Sequence, residues 1–244
     1  VLVQTTKRKA HMNAGLLVVG NGNLAKAIRD FCEKQKTPCY RLGDQDTISR
    51  AARMTVAVHC GSGNEMPRLL ETASRNNIPI IQASGGLPNP EENSLKVPFI
   101  VAANLALPIV KLLSGGIFSL RKNLPLEMKA VVKESHQATK KAVPATAQKM
   151  AQLVGVPIIE INSIRDPGLQ ALLGVPTEHL GGHAFHWITW KGLGVEVELS
   201  TRVLGREAYA AGALVIADAL VAKEANLWPD QVYYLENVLS ELGL

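Results

Sequence analysis

Leu16-Leu17-Val18-Val19-Gly20-Asn21-Gly22-Asn23-Leu24-Ala25 is the stretch on which the fold turns. A short apolar run stops at a glycine, and Leu24, Ala25, Ile28 and Phe31 then recur at helical spacing. Strand, tight turn and helix in that order aim backbone N–H groups at a pyrophosphate seated on a helix N-terminus. Gly20, Asn21, Gly22, Asn23 and Leu24 are therefore expected to bind a dinucleotide, with Ala25 where the third glycine of G-x-G-x-x-G would stand. That last position only has to let helix and strand pack closely, so alanine serves. Working outward, strands are predicted from Pro38 to Leu42, Thr55 to His59, Ile78 to Gln82 and Val97 to Ala102. Met66, Leu69, Leu70 and Ala73 mark a further helix face. Strands separated by single helices cannot be joined by hairpins, so this half reads as a parallel sheet with right-handed crossovers.

After Asn104 the pattern changes. A helix is predicted from Leu105 to about Leu113, and strands near Met128–Val132, Ile158–Ile164, Ala184–Trp190 and Val195–Leu199. In the last of these Val195, Val197 and Leu199 alternate with Glu196, Glu198 and Ser200, and Lys191 to Gly194 suits a hairpin. Arg206 to Ala222 reads as a long Ala-rich helix with Tyr209, Ala213, Ile216 and Leu220 on one face. The fold class is α/β: a Rossmann-type parallel-sheet domain plus an α+β domain with a mixed or antiparallel sheet. Residues 13–104 with 203–244 form the first, 105–202 the second, and 1–12 are a tail bearing Lys7-Arg8-Lys9.

A chain of 244 residues with 47% hydrophobic and 19% charged residues can bury a core and is not disordered. Its apolar stretches are interrupted by Asn104, Pro108, Lys111 and Asp218, so no membrane span is expected. Three cysteines without C-x-x-C spacing exclude a disulfide framework and a zinc knuckle, which places the chain in the cytoplasm. The +5 net charge comes with scattered basic residues and few aromatics. It suits small anionic ligands and argues against nucleic acid.

For NAD the second strand should end in an acid that holds the ribose 2′-hydroxyl. Tyr40 and Arg41 stand there instead, and Asp44 and Asp46 come too late. Arg41 would meet a 2′-phosphate, so the expected cofactor is NADPH, with NADH as the alternative. Gly61-Ser62-Gly63 and Ser84-Gly85-Gly86 follow the third and fourth strands, at the end of a parallel sheet where ligands bind.

Glu134-Ser135-His136-Gln137-Ala138-Thr139-Lys140-Lys141-Ala142-Val143-Pro144-Ala145-Thr146-Ala147 resembles the signature of dihydrodipicolinate reductases, E-x-H-H-x-x-K-x-D-x-P-S-G-T-A. Glu134, His136, Lys140 and Pro144 match it. Ser84-Gly85-Gly86 is similar to the family's T-T-G turn, and Ala102-Ala103-Asn104 to its A-P-N segment. Ser163-Ile164-Arg165 and Gly182-His183 resemble S-V-R and G-x-H. Arg202 with Ala210-Ala211-Gly212-Ala213 resembles S-R-x-x-F-A-x-G-A, and Leu235 to Leu239 the closing segment. Gln137, Ala142, Asn23 and Ala145-Thr146-Ala147 depart from the pattern, the last replacing the Ser-Gly-Thr turn that holds a substrate carboxylate.

The resemblance implies an NAD(P)H-dependent reductase of diaminopimelate and lysine biosynthesis that converts dihydrodipicolinate to tetrahydrodipicolinate and works as a homotetramer. His136 would donate the proton, since imidazole titrates near neutrality, and Lys140 would hold a substrate carboxylate. If the segment is helical, residues four apart share a face, so both reach one ligand. Gln137, Lys141, Ala145, Thr146 and His183 would complete the substrate site, and Asn104 would touch the cofactor. The altered turn leaves two alternatives: a reductase of another small carboxylated imine or carbonyl, or a catalytically silent NAD(P)-binding sensor. His183 and His186 lie on opposite faces of a strand and cannot both line one pocket, so His186 is read as core or interface. His179, His183 and His186 lack a completing Cys or carboxylate, so no metal is expected. Trp187 and Trp190 serve packing or a subunit interface.

Overall fold

The computed structural model describes residues 14–42, 55–102, 104–222 and 227–244. The tail, Asp44, Asp46 and Ala103 lie outside the described residues. In chain order the main elements begin with β1 (Gly15–Val19), α1 (Asn23–Gln35), β2 (Cys39–Tyr40), β3 (Thr55–His59), α2 (Met66–Asn76), β4 (Ile80–Gln82) and β5 (Phe99–Val101). A helical segment follows: α3 (Leu107–Lys111) passes through a π-helical turn (Leu112–Gly116) into α4 (Ile117–Lys122). Then come β6 (Lys129–His136), α5 (Ala145–Val154), β7 (Asn162–Ile164), α6 (Pro167–Leu172), β8 (His183–Gly192), β9 (Val195–Leu204), α7 (Glu207–Val221) and β10 (Val232–Tyr234).

The first sheet has the order β10-β5-β4-β3-β1-β2, and every pairing in it is parallel. Its continuous apolar runs follow from burial on both faces. Leu16, Val18, Val56 and Val58 pack with Ala25 and Ile28 of α1 and Ala213 and Ile216 of α7. Leu17, Val19 and Ala57 point the other way, onto Leu69 and Ala73 of α2. Gly212 lets α7 settle against the chain entering α3: a Cβ there would stand 1.7 Å from the Leu105 carbonyl oxygen.

The second sheet is mixed, in the order β7-β6-β8-β9: β7 runs parallel to β6, while β6–β8 and β8–β9 are antiparallel. Val132, Ile188, Trp190 and Val203 pack on Ile109, Leu113 and Ile117 of the α3–α4 segment and on Met150 and Ala151 of α5. On the opposite face Phe185 and Trp187 are covered by Val175, Leu173 and Leu180. Both tryptophans of this sheet are thus buried within the chain. The β8–β9 hairpin turns on Leu193 and Gly194, both at positive φ, as a two-residue turn matched to strand twist requires.

Most differences from the expected elements are of length. The second strand contracts to Cys39–Tyr40, the fourth to Ile80–Gln82 and the fifth to Phe99–Val101. The stretch 158–164 splits into a 3₁₀ turn (Ile158–Glu160) and β7. One difference matters for function. The strand expected at Met128–Val132 extends to His136, because β8 pairs with it from Lys129↔Lys191 to His136↔Ala184. His136 therefore ends a strand rather than lying on a helix, and the helical i,i+4 argument for His136 and Lys140 is wrong.

Candidate functional site

The phosphate loop has the geometry a nucleotide needs. Gly20 sits at φ +117, and a Cβ on it would come within 2.7–2.8 Å of the Cys60–Gly61 backbone, so only glycine fits. Gly22 caps α1 without a side-chain bond and the first turn carries no acid, which leaves the N-terminal N–H groups and the positive end of the helix for an anion. Arg29 Nη1 donates to the Gly20 carbonyl (3.0 Å) and fixes the loop from within α1. Strand order reverses between β1 and β3, which opens the crevice where such sheets bind ligands. Asn21, Gly22 and Asn23 are exposed along it, and Arg41 is exposed just past β2. The Ser84 hydroxyl donates to the Gly61 carbonyl (2.8 Å), tying the two glycine turns together. Buried His59 lies 3.7 Å from the Glu65 carboxylate beneath the same turn, an arrangement its sequence position did not signal.

A cavity of about 260 Å³ continues this crevice toward the second sheet. Leu24, Ala83, Gly85, Ala102 and Asn104 line one side of it, and His136, Gln137, Lys140, Ala145, Thr146 and His183 the other. Ser84, Gly86 and Lys141 are not among the lining residues, and Lys141 is exposed.

His136 is held from behind. Its Nδ1 lies 2.7 Å from Glu134 Oε2. A carboxylate can only accept, so Nδ1 carries the proton, and Nε2 has no hydrogen-bond partner among the described residues. Glu134 is fully buried and takes a bidentate pair from Arg165, Nη2 to Oε1 at 2.5 Å and Nη1 to Oε2 at 3.0 Å. Arg165 Nε donates in turn to the Lys140 carbonyl (2.8 Å). Gln170, also buried, donates to the His136 carbonyl (2.7 Å). Lys140 follows a turn closed by its own N–H to Gln137 O (2.9 Å). It reaches the cavity through that turn and the arginine clamp rather than through helical spacing.

Charge in this cluster is tuned by burial and partners. Burial opposes ionisation of Glu134, but hydrogen bonds from His136, Arg165 and Ser163 hold its pKa down at about 2. Burial lowers the His136 pKa, Glu134 opposes that, and Lys140 and Arg165 add to it. His183 and His186 lie on opposite faces of β8, and of the two His183 is among the residues lining the cavity. His183 Nδ1 donates to the His179 carbonyl (3.2 Å), so Nε2 accepts from Ser135 Oγ (2.8 Å), and both nitrogens are occupied. It lines the cavity from the opposite sheet face to His136, because the cavity opens across the ends of the strands. His186 is in the core, its ring edge-on to His136 at 5.2 Å and its Nδ1 3.2 Å from Thr201 Oγ1. No group of three or more His, Cys, Asp or Glu that could hold a metal occurs among the described residues.

Buried neutral histidines give stability a pH dependence. Burial drives the His186 pKa from 6.5 down to about 3. Between those values the unfolded chain binds a proton that the folded one refuses, so stability falls as pH falls. His136, His59 and His183 are shifted the same way. Glu134 extends the loss from 4.5 toward 2. The melting temperature is expected to drop steadily from pH 7 to pH 3. His186→Phe should flatten the limb below pH 6.5 by about one proton's worth, roughly 1.4 kcal/mol per pH unit.

The N-terminus of α5 faces the cavity. Ala145 opens the helix without a side-chain cap. Asn104 Nδ2 donates to Thr146 Oγ1 (3.1 Å) while Asn104 Oδ1 accepts from Ala106 N (2.7 Å), which links the end of the parallel sheet to this helix. Two further lining residues, Arg206 and Tyr209, had no site assignment in the sequence reading. The R-x-x-F-A spacing is met by Arg206, Tyr209 and Ala210, with tyrosine for phenylalanine, rather than by Arg202. Arg202 instead lies exposed over the Phe185 ring (5.5 Å), on the far face of the sheet.

No family model matches the sequence. A probable 4-hydroxy-tetrahydrodipicolinate reductase 1, chloroplastic, of Oryza sativa subsp. japonica is 39% identical over 121 residues, 46% of this chain and 35% of the relative. The Arabidopsis thaliana 4-hydroxy-tetrahydrodipicolinate reductase 1, chloroplastic, is 40% identical over 119 residues, 45% of this chain and 34% of the relative. The chain thus matches about a third of the length of these relatives. A dipicolinate-bound dihydrodipicolinate reductase from Paenisporosarcina sp. TG-14 shares the fold, with a TM-score of 0.63 over 93% of this chain and 100% of that one at 15% identity.

Proposed function

We propose that this chain, a relative of the 4-hydroxy-tetrahydrodipicolinate reductases in sequence and in fold, reduces a small cyclic imine bearing two carboxylates. Dihydrodipicolinate is the substrate and NADPH the reductant. Residues 13–104 with 203–244 would carry the nucleotide and 105–202 the substrate. The observation that carries this reading is the His136 imidazole, whose Nδ1 is fixed by a buried Glu134–Arg165 pair and whose ring lines the cavity beside Lys140.

The phosphate loop would hold the pyrophosphate, Arg41 the 2′-phosphate, and Gly85 and Asn104 the walls around the nicotinamide. When bound, the reduced nicotinamide supplies a hydride to the substrate ring. The chain's own groups do the rest. Lys140 and the N–H groups at the start of α5 fix a carboxylate, with Gln137 and Thr146 beside them. A dianion next to His136 raises that residue's affinity for a proton, so its Nε2 becomes charged when substrate is present. It can then deliver the proton that neutralises the developing negative charge. Glu134 stabilises the imidazolium without itself gaining a proton.

Cys32, Cys39 and Cys60 are free, in keeping with a reducing compartment such as the cytoplasm. No helix among the described residues is long and apolar enough to cross a membrane. A homotetramer built on the second sheet belongs to the same proposal, and Val131, Leu193 and Val195 leave apolar surface on it for a subunit contact.

The test is oxidation of NADPH with freshly generated dihydrodipicolinate. Turnover is expected, with kcat/KM for NADPH above that for NADH. Cofactor binding without turnover on any carboxylated imine would overturn the reading in favour of a sensor, and a strong preference for NADH would overturn the role of Arg41.

A further inference from the structure

Three cysteines are too few for a disulfide framework, but two of them meet. Cys32 lies near the end of α1 with its side chain in the core that Leu16 and Ile28 share. The helix stops at Gln35 and the chain doubles back: Lys36 takes a left-handed φ of +56, and Thr37 N donates to the Cys32 carbonyl (2.9 Å). Pro38 then leads into β2, the edge strand of the parallel sheet, whose first residue is the exposed Cys39. The reversal sets the two sulfurs against each other, and the Cys32 S–H donates to Cys39 Sγ.

The pair is unequal in the way thiol–disulfide exchange needs. The hydrogen bond from Cys32 holds the Cys39 pKa below its ordinary value; partial desolvation opposes this, and Arg29 and Arg41 reinforce it. Cys32, the buried donor of that bond, is pushed the other way. The exposed sulfur is thus favoured as thiolate while its neighbour keeps the proton. Cys60 gives the contrast, since burial pushes its pKa up to about 12.

We propose that Cys32 and Cys39 are a redox-active dithiol, with Cys39 as the attacking sulfur, Cys32 as the resolving one and a low-molecular-weight disulfide as oxidant. The Cys39 thiolate attacks one sulfur of that disulfide, a mixed disulfide forms and the first small thiolate leaves. Cys32 then attacks Cys39 Sγ, the mixed S–S bond breaks, and the second small thiol departs with the Cys32 proton. The protein gives up two electrons and the small disulfide takes them. The closed bond ties α1 to β2 and removes the anionic sulfur from beside Arg29 and Arg41. Arg29 holds the Gly20 carbonyl, and Arg41 is the residue assigned to the 2′-phosphate. Closure should therefore favour NADPH over NADH, a consequence that rests on the reductase reading above.

The experiment incubates the protein with oxidised glutathione and counts free thiols by alkylation in denaturant and mass spectrometry. Wild type should fall from three thiols to one, with peptide mapping placing the bond between Cys32 and Cys39 and dithiothreitol restoring all three. Cys32→Ala should stop at a glutathione adduct on Cys39. Cys39→Ser, a change at an exposed position, should keep both of its thiols. An adduct on Cys60, a wild-type adduct that never closes, or loss of the Cys32 thiol in Cys39→Ser would overturn the proposal. The wild-type and Cys39→Ser results decide it even if Cys32→Ala does not fold. The ratio of NADPH to NADH affinity should rise about fivefold from reduced to oxidised wild type, the worth of one unit charge at contact range in water. An unchanged ratio would overturn the coupling to Arg41 and leave the reductase reading standing. Failure of the reduced protein to bind either nucleotide would overturn that reading and leave the dithiol standing.

Discussion

Replacing His136 with alanine is expected to lower kcat/KM for the reduction at least a hundredfold while leaving the KM for NADPH unchanged. The size follows from the role: a positioned general acid contributes roughly 10²- to 10⁴-fold. The split follows from the position, since His136 lines the substrate side of the cavity, across from Leu24 and Gly85. Lys140→Ala, by contrast, should act chiefly on the KM for substrate. The pH profile gives an independent readout. In the free protein the His136 pKa is pushed below its ordinary value by burial, and the acid form is the active one. Activity should therefore fall as pH rises, with the limb in kcat/KM below that in kcat, because the bound dianion holds the proton on. Wild-type rates in His136→Ala, or coincident limbs, would remove the residue from the mechanism.

Glu134→Ala should be the most destabilising single change at the site, by about 3 kcal/mol, because it leaves the half-buried Arg165 guanidinium without its carboxylate. It also frees the His136 ring, so whatever folds should be nearly inactive. The pair can be separated from the fold by a double-mutant cycle read by urea denaturation. Glu134→Ala with Arg165→Ala together should cost clearly less than the sum of the two singles, since no charge is left unpaired. Additive losses would mean that the two side chains do not act as a unit. Glu134→Gln should keep much of the stability and lose the activity, because a neutral amide cannot stabilise an imidazolium.

The parallel half was legible in the chain because β1 and β3 are buried on both faces and give way to glycine turns, whereas the short edge strand β10 carries no such signal. Val19-Gly20 and Cys60-Gly61 announce both the strand ends and the turns that follow them. The second half was harder for a physical reason. Lys133, Glu134, Ser135 and His136 look like a polar segment, yet they extend β6, because β8 supplies backbone partners for all of them and Arg165 neutralises the buried acid. Local pattern carries no trace of a partner thirty-one residues away. Arg206 was legible by spacing, since Arg206, Tyr209 and Ala210 fit R-x-x-F-A where Arg202 does not, and strand alternation turns Arg202 onto Phe185 instead. His136 and Lys140 do line one cavity, but through a strand end and a turn, not through helical spacing.

The glycine at position 212 has a mechanical meaning. Where the α7 backbone meets the Leu105 carbonyl, the absent side chain lets the two backbones touch, and Leu105 itself packs in one core with Ala213 and Leu214 of that helix. Adding one methyl group would act as a shim, lifting the helix off the chain that enters α3 and loosening the core they share. The cavity would feel it at once, because Arg206 and Tyr209 at the start of the same helix form part of its wall.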